Sequence, residues 1–442
     1  MPKQLLVCYY GDDFTGSTDV MEVLALAGMK TILFLEPPTR EELSKYEGVV
    51  AVGVAGVSRS LPIEKMQAEL TPIFNCLKQL NARITHYKFC STFDSSADIG
   101  SIGRAIEIGA EIFQSGVVPV IVGAPALGRY VAFGNLFARS GGNSEVFRID
   151  RHPTMSRHPV TPMNEADLIV HLSRQTSLPI TLISQPELAN WDIARRLTFL
   201  QAANKATEIV LFDTMTEKDL REIGELIWAL ASTKSLFTAS SSGLEYAIKA
   251  FFEQTGQREG PPLVSVPGEV EQLLILSGSL SPVTRRQIEY AKKIHFKELK
   301  ICSTTILSAN GYEKESLRVV EEAVKTLKSG ASVVVHTLDD TLATIQTQQS
   351  QTELSKRLGK IMRQILESCD LKRTVVCGGD TSGYVARELG IVSLEMICPM
   401  APGSPLCRIS SANHLHGAEI LFKGGQVGDD NLFESILKGR LL

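Results

Sequence analysis

Short, uninterrupted apolar runs recur along this chain, each followed by a stretch with helical spacing. That alternation constrains the fold more than any other feature of the sequence. LLVCYY (5–10), TILFLE (31–36), GVVAVGVAG (48–56), ITHYKF (84–89), GVVPVIVGA (116–124) and IVLFDT (209–214) are too continuous for strands with one solvated face. Strands apolar on both faces belong to a parallel sheet covered by helices. Between the runs, TDVMEVLALAG (18–28) has helical spacing and a glycine stop, Ile63 to Leu80 is a long amphipathic stretch, and residues 101–114 are helix-like.

The alternation breaks once. QTGQREGPPLVSVPG (254–268) is rich in Gly, Pro and charge and reads as a linker. The pattern then restarts with LLILSGS (273–279), followed by SPVTRRQIEYAKKI, a helix with Pro282 in its first turn, where a missing N–H costs little. LKICSTTIL, ASVVVHT, RTVVCGGD, LEMICPM and AEILFKGG supply further strands. A chain of 442 residues is too long for one ordinary core. The expected fold class is α/β, in two domains, 1–260 and 261–442, each a mostly parallel sheet with helices on both faces.

Several function classes drop out on composition. A net charge of −4 leaves no basic footprint for nucleic acid. No apolar run approaches the roughly 20 residues that span a bilayer, and no basic segment with an apolar core opens the chain as a secretory signal would. The eight Cys are dispersed without C-x-x-C spacing, as in a reduced, cytoplasmic protein. Cys8, Cys302 and Cys377 lie in apolar runs and read as small hydrophobes.

In open α/β sheets ligands bind beyond the carboxyl ends of the strands. In the first domain those ends offer Asp12 and Asp13; Ser58 and Arg59; Lys88, Cys90, Ser91, Thr92 and Asp94; and Pro125 to Arg129. The mixture suits a small polyhydroxylated anion, with Arg and Lys for a carboxylate and hydroxyls and carboxylates for sugar hydroxyls. An Asp beside a substrate hydroxyl can take its proton during phosphoryl transfer. A blander reading stands beside each: the Asp pair as a helix cap, Arg59 as a solvated loop residue, Lys88 as a snorkelling strand end.

The strand ends of the second domain are glycine-rich: SGSLS (277–281), GGDTSG (378–383), APGSP (401–405, with Gly403) and KGGQVGDD (423–430). Glycines let backbone N–H groups approach phosphate oxygens, and a helix N-terminus adds partial positive charge. None of these is a Walker loop or a dinucleotide fingerprint. His414 and His416 lack a third metal ligand. The segment RIDRHPTMSRHPVTPM (148–163) cannot be a regular helix, and reads either as a basic lid over an anion or as a proline-fixed connector.

GDDFTGSTD, YKFCSTFDSS, SGSLSPVTRRQ, GGDTSG and KGGQVG together resemble the motifs of the four-carbon acid sugar kinases, over nearly the whole chain. The resemblance implies an N-terminal substrate domain, a C-terminal nucleotide domain, and ATP-dependent phosphorylation of threonate, erythronate or 3-oxo-tetronate in sugar-acid catabolism. It implies Asp13 and Asp12 as catalytic carboxylates. It places Asp12, Arg59, Lys88, Phe89, Cys90 and Ser91 on the substrate. Ser277, Ser279, Gly378, Gly379, Asp380, Thr381 and Gly424 fall on ATP, with Mg2+ as its companion. Where many relatives have a G-N-I-G loop, this chain reads ADIGSIG. The partners expected are the sugar acid and ATP, with no nucleic acid and no membrane; self-association into a homo-oligomer is left open. The competing reading is a non-enzymatic two-lobed sugar-acid sensor, which leaves the glycine-rich strand ends without a purpose.

Overall fold

A computed structural model describes residues 4–140, 145–158, 160–202, 207–257, 260–279, 281–308, 310–337 and 348–441. The chain divides into two compact units. The first comprises Met1–Thr31 and Glu36–Pro262, the second Ile32–Leu35 and Leu263–Leu442.

The first unit is built on four parallel strands in the order Leu236–Ser240, Ile84–Lys88, Val7–Gly11, Ala51–Ala55. Their carboxyl ends are flush: Gly11 lies opposite both Ala55 and Lys88, and Lys88 opposite Ser240. Nearly every residue of these strands is buried, which explains the unbroken apolar runs. The helix Ile63–Leu80 buries Met66, Leu70, Ile73, Phe74 and Leu77, one stripe at helical period, and ends at Asn81 in the left-handed region. Burying each such side chain contributes about 1.5–3 kcal/mol. Val117–Ile121, Glu208–Phe212 and Ile180–Ile183 form a second parallel sheet. Arg129–Ala132, Asn135–Arg139 and Val146–Arg148 form a small antiparallel meander.

In the second unit, Glu419–Lys423, Arg373–Cys377, Leu274–Ser277, Val333–His336 and Lys297–Lys300 run parallel, in that order. Pro405–Ser411 then pairs antiparallel with Glu419–Lys423 and with Ile391–Pro399, and Ile391–Pro399 pairs antiparallel with Ile32–Phe34. Two features depart from expectation here. The segment 32–35 belongs to the first domain by its position in the chain, yet its ladder partner lies some 360 residues away in sequence. The run 299–307, a strand by sequence, is not one: the strand is Lys297–Lys300, and Ser303–Leu307 is a short helix. Cys302, at that helix start, is therefore exposed and not a core residue, whereas Cys8 and Cys377 are buried.

Candidate active site

The ladder of the first unit itself brings Asp12, Arg59 and Lys88 together. Beyond the paired residues, the Asp12 N–H donates to the Lys88 carbonyl (2.8 Å) and the Arg59 N–H donates to the Asp12 carbonyl (3.1 Å). The Arg59 guanidinium folds back over this junction. Its Nε and Nη2 donate to Oδ2 and Oδ1 of Asp12 at 3.1 and 2.7 Å, a two-pronged charge-assisted contact. Nη2 also lies 2.9 Å from Oδ1 of Asp13.

Asp13 is a helix cap as well as an ion-pair partner. It precedes the helix Phe14–Leu26, and its Oδ1 accepts the Gly16 N–H at 2.9 Å. Oδ2 accepts from the Thr15 hydroxyl at 2.9 Å. Lys88, 3% exposed, closes the cluster: a Cβ on Gly16 would lie 2.2 Å from Lys88 Nζ and 2.4 Å from Asp13 Oδ1. Gly16 thus leaves open a space that the Lys88 ammonium and the Asp13 carboxylate both border.

The environment moves the two carboxyls in opposite directions. Burial pushes Asp12 above the ordinary carboxylate range, with Arg59 pulling against it. Burial pushes Asp13 the same way, but Arg59, Lys88, the Thr15 hydroxyl and the Gly16 N–H outweigh it and hold Asp13 below that range. Burial would lower Lys88; Asp13 and Asp12 keep it above its usual value, so it remains an ammonium. Divergent carboxyls beside fixed cations are an arrangement that can orient a hydroxyl and receive its proton.

The loop after Ile84–Lys88 extends the cluster. The Thr92 hydroxyl donates to Asp94 Oδ1 at 2.7 Å, and Cys90 Sγ lies 2.9 Å from that hydroxyl. Burial raises the Asp94 carboxyl, yet Arg59, the Thr92 and Cys90 hydrogen bonds and His158 bring it below its ordinary value. Ser91 is half-buried in the turn. Phe89 does not present its side chain here: it is fully buried, with its ring 5.1 Å from that of Phe93 and 6.5 Å from that of Tyr87. Strand alternation turns residue 89 into the core, opposite in sense to Lys88. The segment 148–163 forms two 3-10 turns, Ile149–Arg151 and Met155–Arg157, and brings His158 into the electrostatic neighbourhood of Asp94; Pro159 lies outside the described residues.

In the second unit three of the glycine-rich segments form one structure. Ser277 ends its strand opposite Cys377, and Cys377 lies opposite Lys423. The Gly378 N–H donates to the Lys423 carbonyl at 2.9 Å, and the Thr284 hydroxyl donates to the Gly425 carbonyl at 2.9 Å. Ser279 Oγ accepts the Ser281 N–H at 3.2 Å. A Cβ on Gly278 would lie 2.4 Å from the Thr381 hydroxyl, and one on Gly425 2.5 Å from Ser279 Oγ. Gly378 has φ +126° and precedes the helix Gly379–Glu388. Backbone crevices that a Cβ would fill, at a helix N-terminus, suit phosphate oxygens. The Asp380 side chain lies outside the described part of the chain. Gly424 is half-buried in the late turn. Gly403, φ +70°, lies in the turn between Ile391–Pro399 and Pro405–Ser411. That turn is at the same sheet end, because Ile391–Pro399 runs in the direction of Glu419–Lys423.

Sequence reasoning missed Lys423 and Thr284. The Lys423 ammonium is fully buried, donates to the Thr284 hydroxyl at 3.0 Å, and is held below its ordinary value by burial. A Lys directly preceding Gly-Gly at a strand end was the available signal. His414 and His416 take local partners, the Leu366 carbonyl and the Ser411 N–H. Among the described residues, no group of three or more His, Cys, Asp or Glu converges as a metal site.

Comparison with known proteins decides the family. Residues 7–248 match the family described as a sugar-binding N-terminal domain, and residues 274–433 the nucleotide-binding C-terminal domain. The chain belongs to the four-carbon acid sugar kinase family. It is 43% identical over 454 residues to a 3-oxo-isoapionate kinase of Paraburkholderia graminis, covering 100% of this chain and 96% of that protein. It is 26% identical to a 3-oxo-tetronate kinase of Pseudomonas fluorescens, covering 99% and 97%. In fold it matches a solved Salmonella typhimurium structure, with TM-score 0.77 at 24% identity over 97% of this chain and 98% of that one. A Haemophilus influenzae structure gives TM-score 0.71 at 22% identity over 98% and 100%. The kinase reading of the sequence therefore stands, and the sensor reading does not.

Proposed function

We propose that this family member transfers the γ-phosphoryl group of Mg-ATP to a hydroxyl of a 3-oxo sugar acid, with 3-oxo-isoapionate the first substrate to test. The observation that carries the reading is the cluster of Asp12, Asp13, Arg59 and Lys88 at flush strand ends of the sugar-binding domain. The 43% identical relative, a 3-oxo-isoapionate kinase, supports placing this acid ahead of the threonate, erythronate and 3-oxo-tetronate expected from sequence.

In this reading Asp13 orients the attacking hydroxyl and receives its proton. Its side chain is 15% exposed against 4% for Asp12, so substrate reaches it more readily. Asp12 holds Arg59 in place. Lys88 and Arg59 balance the carboxylates and steady the anionic substrate. Cys90 and Ser91 line the same loop, and Phe89 contributes backbone alone.

ATP supplies the phosphoryl group. Ser277, Ser279, Gly378, Gly379, Asp380, Thr381, Gly403 and Gly424 are the residues assigned to it, and Lys423 joins them as a cation beside the phosphates. Mg2+ would come with the phosphates of ATP and offset part of their charge. An ATP-using enzyme of sugar-acid catabolism works in the cytoplasm, and among the described residues no helix is long and apolar enough to cross a membrane.

A coupled ADP-release assay tests the proposal over 3-oxo-isoapionate, 3-oxo-tetronate, threonate and erythronate. ADP release dependent on one of these acids supports it. ATP turnover indifferent to every acid would overturn it.

A further inference from the structure

Arg59 is committed to the Asp12–Asp13 pair: two of its three nitrogens are taken up by carboxylates. A substrate carboxylate needs a cation that is not already neutralised. The meander Arg129–Ala132, Asn135–Arg139, Val146–Arg148 carries two.

Arg129 is fixed by its own hairpin. Its Nη1 donates to the carbonyls of Leu127, Gly128 and Arg139 at 3.0, 3.3 and 3.2 Å, which holds the guanidinium without neutralising it. Its Nε–H is buried with no hydrogen-bond partner. Arg139 is its neighbour: the Arg139 N–H donates to the Gly128 carbonyl, and a Cβ on Gly128 would lie 3.5 Å from Arg139 Nε. That Nε–H is also buried and unpartnered. His152, in the turn that follows, is 5% exposed. Its Nδ1 accepts the N–H groups of Thr154 and Met155, so the proton resides on Nε2, which lies beside the Arg139 backbone without meeting hydrogen-bond geometry.

Among the described residues neither arginine has a carboxylate partner. Three buried N–H donors left unsatisfied in one neighbourhood are costly unless a ligand takes them up. The location fits such a ligand. The hairpin follows the strand Val117–Ile121, whose Ile121 carbonyl accepts the Ser241 N–H at 2.8 Å, and the preceding Ser240 lies opposite Lys88. Cys90 and Asp94 of the loop after Lys88, with Tyr130, act electrostatically on Arg129. The recess therefore adjoins the candidate active site within the sugar-binding domain.

We propose that Arg129, Arg139 and His152 form the anion recess that receives the carboxylate of the sugar acid, leaving Arg59 and Lys88 to hold the reacting end. The proposal rests on the sugar-acid kinase reading. It makes the hairpin the part of the domain that distinguishes acids from neutral polyols, with the fixed Arg129 guanidinium and its neighbour Arg139 facing the two oxygens of one carboxylate.

The test uses the full chain and the variants Arg139→Gln, Arg139→Lys and Arg129→Lys. Calorimetric titration with erythronate and with uncharged erythritol measures binding without ATP, and ADP release measures turnover. The parent should bind erythronate and ignore erythritol. Arg139→Gln should weaken erythronate binding and raise KM for the acid by roughly 10- to 150-fold, the effect of one charge-assisted hydrogen bond. KM for ATP should not change. Arg139→Lys should recover part of the loss. Arg129→Lys keeps the charge but loses the fixed fork, so it should weaken acid binding while melting close to the parent. Unchanged acid affinity in folded Arg139→Gln and Arg129→Lys overturns the recess, as does a raised KM for ATP alone. If erythronate binds through Arg139 but no acid of the panel supports ADP release, the recess stands and the kinase reading fails.

Discussion

The ammonium of Lys88 occupies the space where a side chain on Gly16 would begin, with Nζ 2.2 Å from the position of a Cβ. The obstructing atoms, Lys88 Nζ and Asp13 Oδ1, are both side-chain ends, so Gly16→Ala should fold, and alanine is favoured over glycine inside a helix by about 1 kcal/mol. The cost falls on the site, because the Lys88 ammonium and the Asp13 carboxylate must both shift. We expect kcat/KM to drop at least about 10-fold, one lost charged contact, at a nearly unchanged melting temperature. Full activity in Gly16→Ala would remove Lys88 from the site.

Asn variants separate the two carboxylates. Asparagine caps a helix about as well as aspartate, so Asp13→Asn should keep the cap and lose only the stability that the ion pair with Arg59 contributes. Its turnover should fall about 10²–10⁴-fold, the range for a group that handles a proton. Asp12→Asn leaves the Arg59 fork without its main anion and should cost about 1–3 kcal/mol of stability. Urea unfolding with steady-state kinetics on both variants checks this; normal turnover in Asp13→Asn would reduce the residue to a cap.

Acid stability follows from the same carboxyls. Asp13 and Asp94 titrate below the ordinary value of 3.8 in the folded chain. As pH falls through 3.8 the unfolded chain takes up these protons first, so it binds more protons than the folded one. The stabilisation from the two groups is complete above that value and is lost as pH drops through their lower folded values. Urea midpoints between pH 5 and 3 should fall less steeply in Asp94→Asn than in the parent; equal slopes would contradict the environment described.

The nucleotide cradle predicts the opposite kinetic signature. Gly378 has φ +126°, and a Cβ there would lie 3.0 Å from the Thr381 hydroxyl. Gly378→Ala should raise KM for ATP with little effect on KM for the acid, and a change confined to the acid would misplace ATP.

Much of the fold was legible because apolar runs buried on both faces leave a local signature. The helix Ile63–Leu80 and the strands ending at Gly11, Lys88, Ser277 and Cys377 follow from period and punctuation alone. What depended on distant pairing was not legible. TILFLE reads identically whichever strand it joins, and its antiparallel ladder with Ile391–Pro399 is set far along the chain. The short meander around Arg129 and Arg139 has no apolar run to mark it, since its residues alternate between buried and half-buried. In the site, residue types were readable and their commitments were not. Arg59 looked like a free cation for substrate, and its fork on Asp12 appears only when two strand ends lie side by side.

The pairing of Ile32–Phe34 with Ile391–Pro399 has a practical consequence. A fragment beginning at residue 263 lacks that partner and exposes a long strand edge, a site for aggregation. Such a fragment should be poorly soluble, and adding the 31–35 peptide should improve it. A monomeric, soluble fragment would show the pairing to be dispensable.

In the proposed reaction the paired carboxylates direct a phosphoryl group onto a sugar acid, and phosphorus NMR of the reaction mixture tests this. With Mg-ATP and 3-oxo-isoapionate the parent should yield ADP and a new phosphomonoester resonance in equal amounts, and Asp13→Asn should yield neither at a comparable rate. ADP accompanied by inorganic phosphate alone, or a phosphomonoester formed as fast by Asp13→Asn, would contradict it.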